Sequence, residues 1–448
     1  MMLPALLLLA ALQPVRYELD LKADLKEEEL AATARITVRN ASAQPAGELS
    51  LVLYRLMTVT GITNPAGAAL PFSQHIVAFE DEPRRQANHI RIPLNPPLAP
   101  KAETTVSVAY KGFLAGYVET GSLYIRDRID EEFTIIREDA DPYPAVGVPS
   151  FRARRAAGLP EFSYLARITV PESHVVANGG ELVNRTTVDG WATFVFRSRV
   201  PSWRMDFAIA RYTLLEKEGI RIYYLPGDQA GAERVMQGAQ SALRLFTDWF
   251  GPPREMRGVT VIEIPEGFGS QNDVVTIIQT SAAFRDPERA GELYHEVSHF
   301  WNVEGLDRPH CRWEEGLASF LAELAREKLD GVKAIDARVA RAKVRLKEQA
   351  AKDPRLARLP MKDYGREDIG DYSYGVGLLM FDRMYRIAGH ETFCRIIGGF
   401  YQQYVAIGAT TDQFAQYAIK LGGEPVKALL DEWLYSTRWL EVLNETAR

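Results

Sequence analysis

His295-Glu296-Val297-Ser298-His299 has the form H-E-x-x-H, and two acids, Glu314 and Glu315, follow at the end of the next connection. On a helix, residues four apart share a face, so both imidazoles can reach one ion. Glu296 projects about 100° around that helix from His295, beside the ion and not on it. A carboxylate there can take the proton of an attacking water. Catalytic zinc sites use three protein ligands and keep a fourth position open, and two His with one Glu is a standard set. The chemistry implied is metal-assisted hydrolysis of a peptide bond.

The five-residue pattern is not rare; chance supplies it on the order of once in a hundred chains of this length. Its plain alternative is two histidines on a solvated face. Leu293, Val297, Phe300 and Trp301 oppose that alternative, because they make the helix apolar enough to lie inside. Buried histidines beside a buried Glu need a partner, and a metal supplies one. The third ligand is expected from a second helix, Trp313–Leu329, whose core face is Trp313, Leu317, Phe320, Leu321 and Leu324. Glu315 falls on another face, with the small residues Ala318, Ser319 and Ala322, where a second helix can approach. Spacing favours Glu315, with Glu314 as the alternative.

The elements that must position these residues fall into two regions. From Val15 to about Leu214 the pattern is β: Tyr17, Leu19, Leu21 and Ala23 alternate with polar residues, as do Ala32, Ala34, Ile36 and Val38. An antiparallel sandwich or saddle is expected over 15–215. A mostly helical α/β domain is expected over 216–448. Its helices are expected at 228–250, 287–303, 313–328, 331–351, 373–387, 390–405, 411–421 and 425–434, with short strands at Val259–Ile264 and Val274–Ile278. The helix over 332–349 carries Lys and Arg on several faces and reads as solvated.

With these residues in place, the sequence resembles the zinc aminopeptidases of the aminopeptidase N family. Glu315-Gly316-Leu317-Ala318-Ser319-Phe320 is similar to that family's N-E-G-F/W-A stretch, which points to Glu315 as the third ligand. Fifteen residues separate His299 from Glu315, where the family has eighteen. Ser373-Tyr374-Gly375-Val376-Gly377 resembles the family's Y-x-K-G segment, which implies that Tyr374 stabilises the oxyanion, with Tyr372 as runner-up; the family's Lys is Val376 here. Gly267–Asp273 stands where the family has a G-x-M-E-N loop that binds the substrate's free amine. The resemblance implies substrate binding by Gly269, Gln271, Asn272 and Asp273. With Gln271 in place of the family's Glu, the charge-assisted bond to an ammonium group is lost, unless Asp273 supplies the carboxylate. The resemblance runs from Tyr17 to the segment LGGEPVKALLDEWLY, as a short form without the family's C-terminal helical domains. It implies a thermolysin-like catalytic domain holding one Zn2+, a peptide substrate, and an aminopeptidase with weakened demand for a free N-terminus. The rivals are a peptide-binding protein of the same fold that has lost turnover, and a zinc hydrolase acting on another bond.

At 448 residues the chain exceeds one ordinary core, which fits two domains. Its formal net charge is −6, with both signs interspersed, and gives no reason to expect nucleic acid as a partner. Cys311 and Cys394 form no C-x-x-C and read as free, largely buried thiols. Leu3 to Leu12 is too short to span a bilayer. Segment 1–14 is read as a signal peptide and export is expected, although no Lys or Arg precedes the apolar run. The sequence does not report oligomeric state.

Overall fold

A computed structural model describes residues 12–117, 127–157, 160–254, 258–271 and 273–444. Most of the segment read as a signal peptide, and Asn272 of the substrate loop, lie outside these residues. Two compact units result. One comprises residues 1–232, 257–268 and 272–281; the other comprises 233–256, 269–271 and 282–448. No helix among the described residues is long and apolar enough to cross a membrane.

The first unit is built on a seven-stranded sheet. Its strands are β1 (Leu12–Asp24), β2 (Glu29–Asn40), β3 (Met57–Thr63), β4 (Glu103–Phe113), β5 (Ser163–Pro171), β6 (Glu181–Val188) and β7 (Trp191–Arg197), in the order β6-β7-β5-β1-β2-β4-β3. The alternation read from the sequence decides the buried face: Tyr17, Leu19, Leu21 and Ala23 of β1 and Leu30, Ala34, Ile36 and Val38 of β2 are buried. A four-stranded sheet runs Ser73–Ala78, Gln86–Leu98, Ala46–Tyr54, Ala145–Val146. Leu49, Leu51, Leu53, Ile90 and Ile92 from this sheet share one core with the seven-stranded face. The fold differs from a purely antiparallel sandwich in one pair. β1 and β5 run parallel, with Tyr17 opposite Tyr164. Strands so far apart in sequence are joined by a long crossover, which allows parallel pairing.

The same unit holds β8 (Thr213–Lys217), β9 (Ile220–Tyr224), β10 (Val259–Ile264) and β11 (Thr276–Thr280), side by side in that order. β9, β10 and β11 are mutually parallel. β10 is buried along its whole length, as a strand covered on both faces should be. Its one acid, Glu263, is fully buried: Ser281 Oγ donates to it at 2.5 Å and the Leu225 N–H at 2.7 Å. Burial pushes the Glu263 carboxyl up to about 7 against those two hydrogen bonds, and Asp228 beside it adds to the rise.

The second unit is helical: α1 (Gln229–Phe250, from Glu233 onward), α2 (Ala290–Ser298), α3 (Trp313–Leu329), α4 (Ile335–Lys352), α5 (Ser373–Tyr404), α6 (Thr411–Trp433) and α7 (Trp439–Asn444). The expected breaks in α5 and α6 are present. Gly389 (φ 74°) and Gly423 (φ 69°) leave helical geometry inside continuous hydrogen-bonded runs. The helix expected over 287–303 is shorter; it ends at Ser298 and tightens into a 3-10 turn, His299–Trp301. The strand expected at Val274–Ile278 lies two residues later, because Asp273 Oδ1 accepts the Val275 N–H at 2.8 Å and turns the chain first. Both cysteines are free thiols, Cys311 buried and Cys394 partly exposed.

Candidate metal centre

α2 carries the two histidines and is held on two sides. Gly238 of α1 lets that helix close on it; a Cβ there would lie 3.1 Å from Leu293 Cδ2. At its end the Trp301 indole donates to Gly251 O at 2.8 Å and stands edge-on to Phe246 and Phe250. Asn302 Nδ2 lies 2.8 Å from His299 Nδ1. With its amide turned over, Asn302 accepts the Nδ1–H and frees Nε2 to bind a metal.

α3 brings the carboxylate. The face predicted for its core is buried throughout: Trp313, Leu317, Phe320, Leu321 and Leu324. α3 and α5 meet backbone to backbone at Gly316 and Gly377. A Cβ on Gly316 would sit 2.4 Å from Gly377 Cα, and one on Gly377 would sit 2.9 Å from Gly316 Cα. Glu315, just before one glycine, and Tyr374, three residues before the other, are thereby brought together.

The result is a small triangle. His295 Nε2 and His299 Nε2 are 3.2 Å apart, and Glu315 Oε2 lies 3.4 Å from each. Tetrahedral zinc with bonds of 2.0–2.1 Å spaces its ligand atoms by about 3.3–3.4 Å. Glu315 Oε2 is buried, and among the described residues no hydrogen bond of good geometry reaches it. Two facing ring nitrogens and an unsatisfied carboxylate oxygen are what a cation at their centre would satisfy, so the residues fit the metal. Glu314 is not part of the triangle; its Oε1 lies 3.3 Å from His310 Nδ1.

The electrostatics agree. Burial alone would lower His299, but Glu315, 3.4 Å away, with Glu296 and Glu314 behind, pushes it up to about 9. Burial alone would raise Glu315, but His295, His299 and the Arg312 guanidinium hold its carboxyl well below the usual range. Both shifts describe a site that draws positive charge.

Glu296 stands beside the triangle, and its carboxylate and the two imidazole nitrogens lie within 4.8 Å of one another. Its Oε2 accepts the backbone N–H of Gln271 at 2.6 Å. Residues 269–271, the part of the loop 267–273 that belongs to this unit, thus reach the Glu296 carboxylate. Asp273 belongs to the other unit, where its carboxylate closes its own turn. Tyr374 stacks on His295, with ring centroids 6.0 Å apart and planes 6° apart. Burial, with the charges of Glu315 and Glu296, pushes its phenol well above the ordinary value, so it remains a protonated donor. Tyr372 turns away and donates to Asp353 at 3.2 Å.

Asp307 caps the start of α6 through the Thr411 N–H at 2.7 Å, and Glu304 pairs with Arg308 at 3.1 Å. The residues that support the ligands are ones the sequence reading missed. Asn302 backs His299, and Arg312 donates to Glu315 Oε1 at 2.8 Å. Only their adjacence to the motifs could have marked them.

No profile of a known protein family matches the chain. Its sequence is 23% identical over 347 residues to a glutamyl aminopeptidase of Mus musculus, covering 69% of this chain and 34% of that protein. It is 23% identical over 365 residues to aminopeptidase M1-A of Oryza sativa subsp. japonica, covering 75% and 40%. The chain therefore spans about a third to two fifths of the length of these curated relatives. Among solved structures it is similar to an M1 zinc metallopeptidase from Deinococcus radiodurans, with a TM-score of 0.69, 20% identity, and coverage of 98% of this chain and 97% of that one. A substituted form of that metallopeptidase, bound to a Tyr-Ser-Ala substrate, matches with a TM-score of 0.69, 19% identity, and coverage of 96% and 95%. The chain has the two-domain fold of the M1 zinc metallopeptidases, and in sequence it resembles the aminopeptidases among them.

Proposed function

We propose that the chain is a zinc-dependent peptide hydrolase, an aminopeptidase with a weakened requirement for a free N-terminus. The observation that carries this reading is the triangle of His295, His299 and Glu315, with Glu296 beside it. When bound, zinc supplies Lewis acidity to the scissile carbonyl and to the attacking water. Glu296 takes the proton of that water and returns it to the leaving amine. The Gln271 N–H fixes the direction of the Glu296 carboxylate. Tyr374 donates its O–H to the oxygen on which negative charge develops. Gln271 presents an uncharged amide where the resembled family uses a carboxylate. It can accept a hydrogen bond from a substrate ammonium, but not a charge-assisted one.

One experiment tests the whole reading. Zinc content is measured for wild type and Glu296→Gln, and both are assayed on one peptide with a free and an acetylated N-terminus. We expect one zinc per chain in both proteins, and a loss of about 10²–10⁴ in kcat for Glu296→Gln. Wild type should favour the free amine only modestly. Zinc without any peptide hydrolysis sensitive to Glu296 would overturn the peptidase reading in favour of a binding protein or a hydrolase of another bond. A strong demand for the free amine would sink the weakened-recognition part.

A further inference from the structure

We propose that Arg312 is a positioning residue that fixes Glu315 and Tyr374 in one register; this rests on the zinc-hydrolase reading above. Arg312 is the last residue of the connector between the ligand helices. Its backbone is left-handed, with φ 62° and ψ 37°, a conformation uncommon for a residue with a Cβ. From there the guanidinium makes three contacts. Nη2 donates to Glu315 Oε1 at 2.8 Å and to Tyr374 Oη at 3.2 Å, and Nη1 donates to Asp371 at 2.7 Å. Its cationic carbon stands 5.5 Å over the Tyr374 ring. Gly370 leaves room for the stem; a Cβ there would lie 3.2 Å from Arg312 Cδ.

Two consequences follow from this chemistry. Arg312 occupies one oxygen of Glu315, so the other, Oε2, is left as the single oxygen facing both histidines. Without that hold the carboxylate can rotate, or offer both oxygens to the ion. At Tyr374 the guanidinium, which only donates, uses the phenol oxygen as an acceptor and so fixes that oxygen beside Glu315. A planar fork can hold all three partners at once, whereas an ammonium is a single point.

The test compares wild type with Arg312→Asn, Arg312→Lys and Asp371→Asn. Asn tolerates the left-handed backbone, so Arg312→Asn removes the fork without straining the turn. Each protein is loaded with zinc, and its rate of zinc loss to a chelator is followed. Metal-free melting temperature, kcat and KM are measured alongside. Arg312→Asn should lose zinc about 10–100-fold faster, the range for partners that orient metal ligands. Its kcat should fall with KM little changed, and its metal-free melting temperature should hold. Arg312→Lys should recover part of both losses, and Asp371→Asn should show a smaller loss in the same direction. Zinc retention and kcat in Arg312→Asn equal to wild type would overturn the proposal. So would a drop in metal-free melting temperature with zinc retention unchanged. Wild type that holds no zinc would overturn the hydrolase reading as well, which separates the two failures.

Discussion

At the scale of single residues, the centre divides into groups that can bind and groups that can donate. Tyr374 is the proposed donor, and its role is the easiest to isolate. Its ring lies on His295 and its hydroxyl beside Arg312, so Tyr374→Phe keeps the stack and removes one O–H. We expect kcat to fall by about 10²–10³, with KM and zinc content near wild type, as when one oxyanion donor is deleted. An unchanged kcat would mean that the oxyanion finds its donor elsewhere. At this scale the sequence was informative wherever side-chain type and helical spacing suffice. Two histidines four apart and a Glu on the small-residue face of the next helix came together as read. Arg312 was not legible, because its reach depends on a left-handed φ that no local pattern announces. The contact of Gln271 with Glu296 was hidden for another reason: it is made by a backbone N–H, which every residue except proline carries.

At the scale of elements, the crossing of α3 and α5 decides whether the triangle exists. The backbones touch at Gly316 and Gly377, so any side chain there must push the helices apart. Gly316→Ala should lose about 1–3 kcal/mol, the usual cost of overpacking, and should bind zinc more weakly. Gly61→Ala, where an added Cβ meets nothing within 4 Å, should do neither. Urea denaturation with zinc titration checks both, and equal behaviour of the two variants would remove the crossing from the account. Helices were well marked in the sequence because apolar periodicity and breakers are local; Gly389 and Gly423 interrupt α5 and α6 between the segments predicted. The order of the seven-stranded sheet, and the parallel pairing of β1 with β5, were not marked. Alternation says which face of a strand is buried but not which distant strand lies beside it.

For the whole molecule, the buried carboxyls of the first unit set how stability responds to pH. Glu263 is raised to about 7, chiefly by burial, and burial likewise raises Glu138 to about 7 and Asp206 to about 6. A carboxyl with a raised folded value favours the fold while it stays protonated. Its contribution is complete below the unfolded value of about 4 and is lost as pH rises through 6 to 7. Wild type should therefore melt at a lower temperature at pH 8 than at pH 5. Glu263→Gln, which has no proton to lose, should show a shallower decline. Identical slopes would show that Glu263 does not titrate in this range.

The meeting of Gly316 with Gly377 also bears on the connector, fifteen residues long where the resembled family has eighteen. The place of Glu315 is set where two helices touch, not by a count of residues along the chain. A shorter connector is compatible with that crossing, provided that Arg312 still ends it beside Glu315. Further back, the same connector is stitched to residues 409–411, through Leu306 to Ala409 and Asp307 to Thr411.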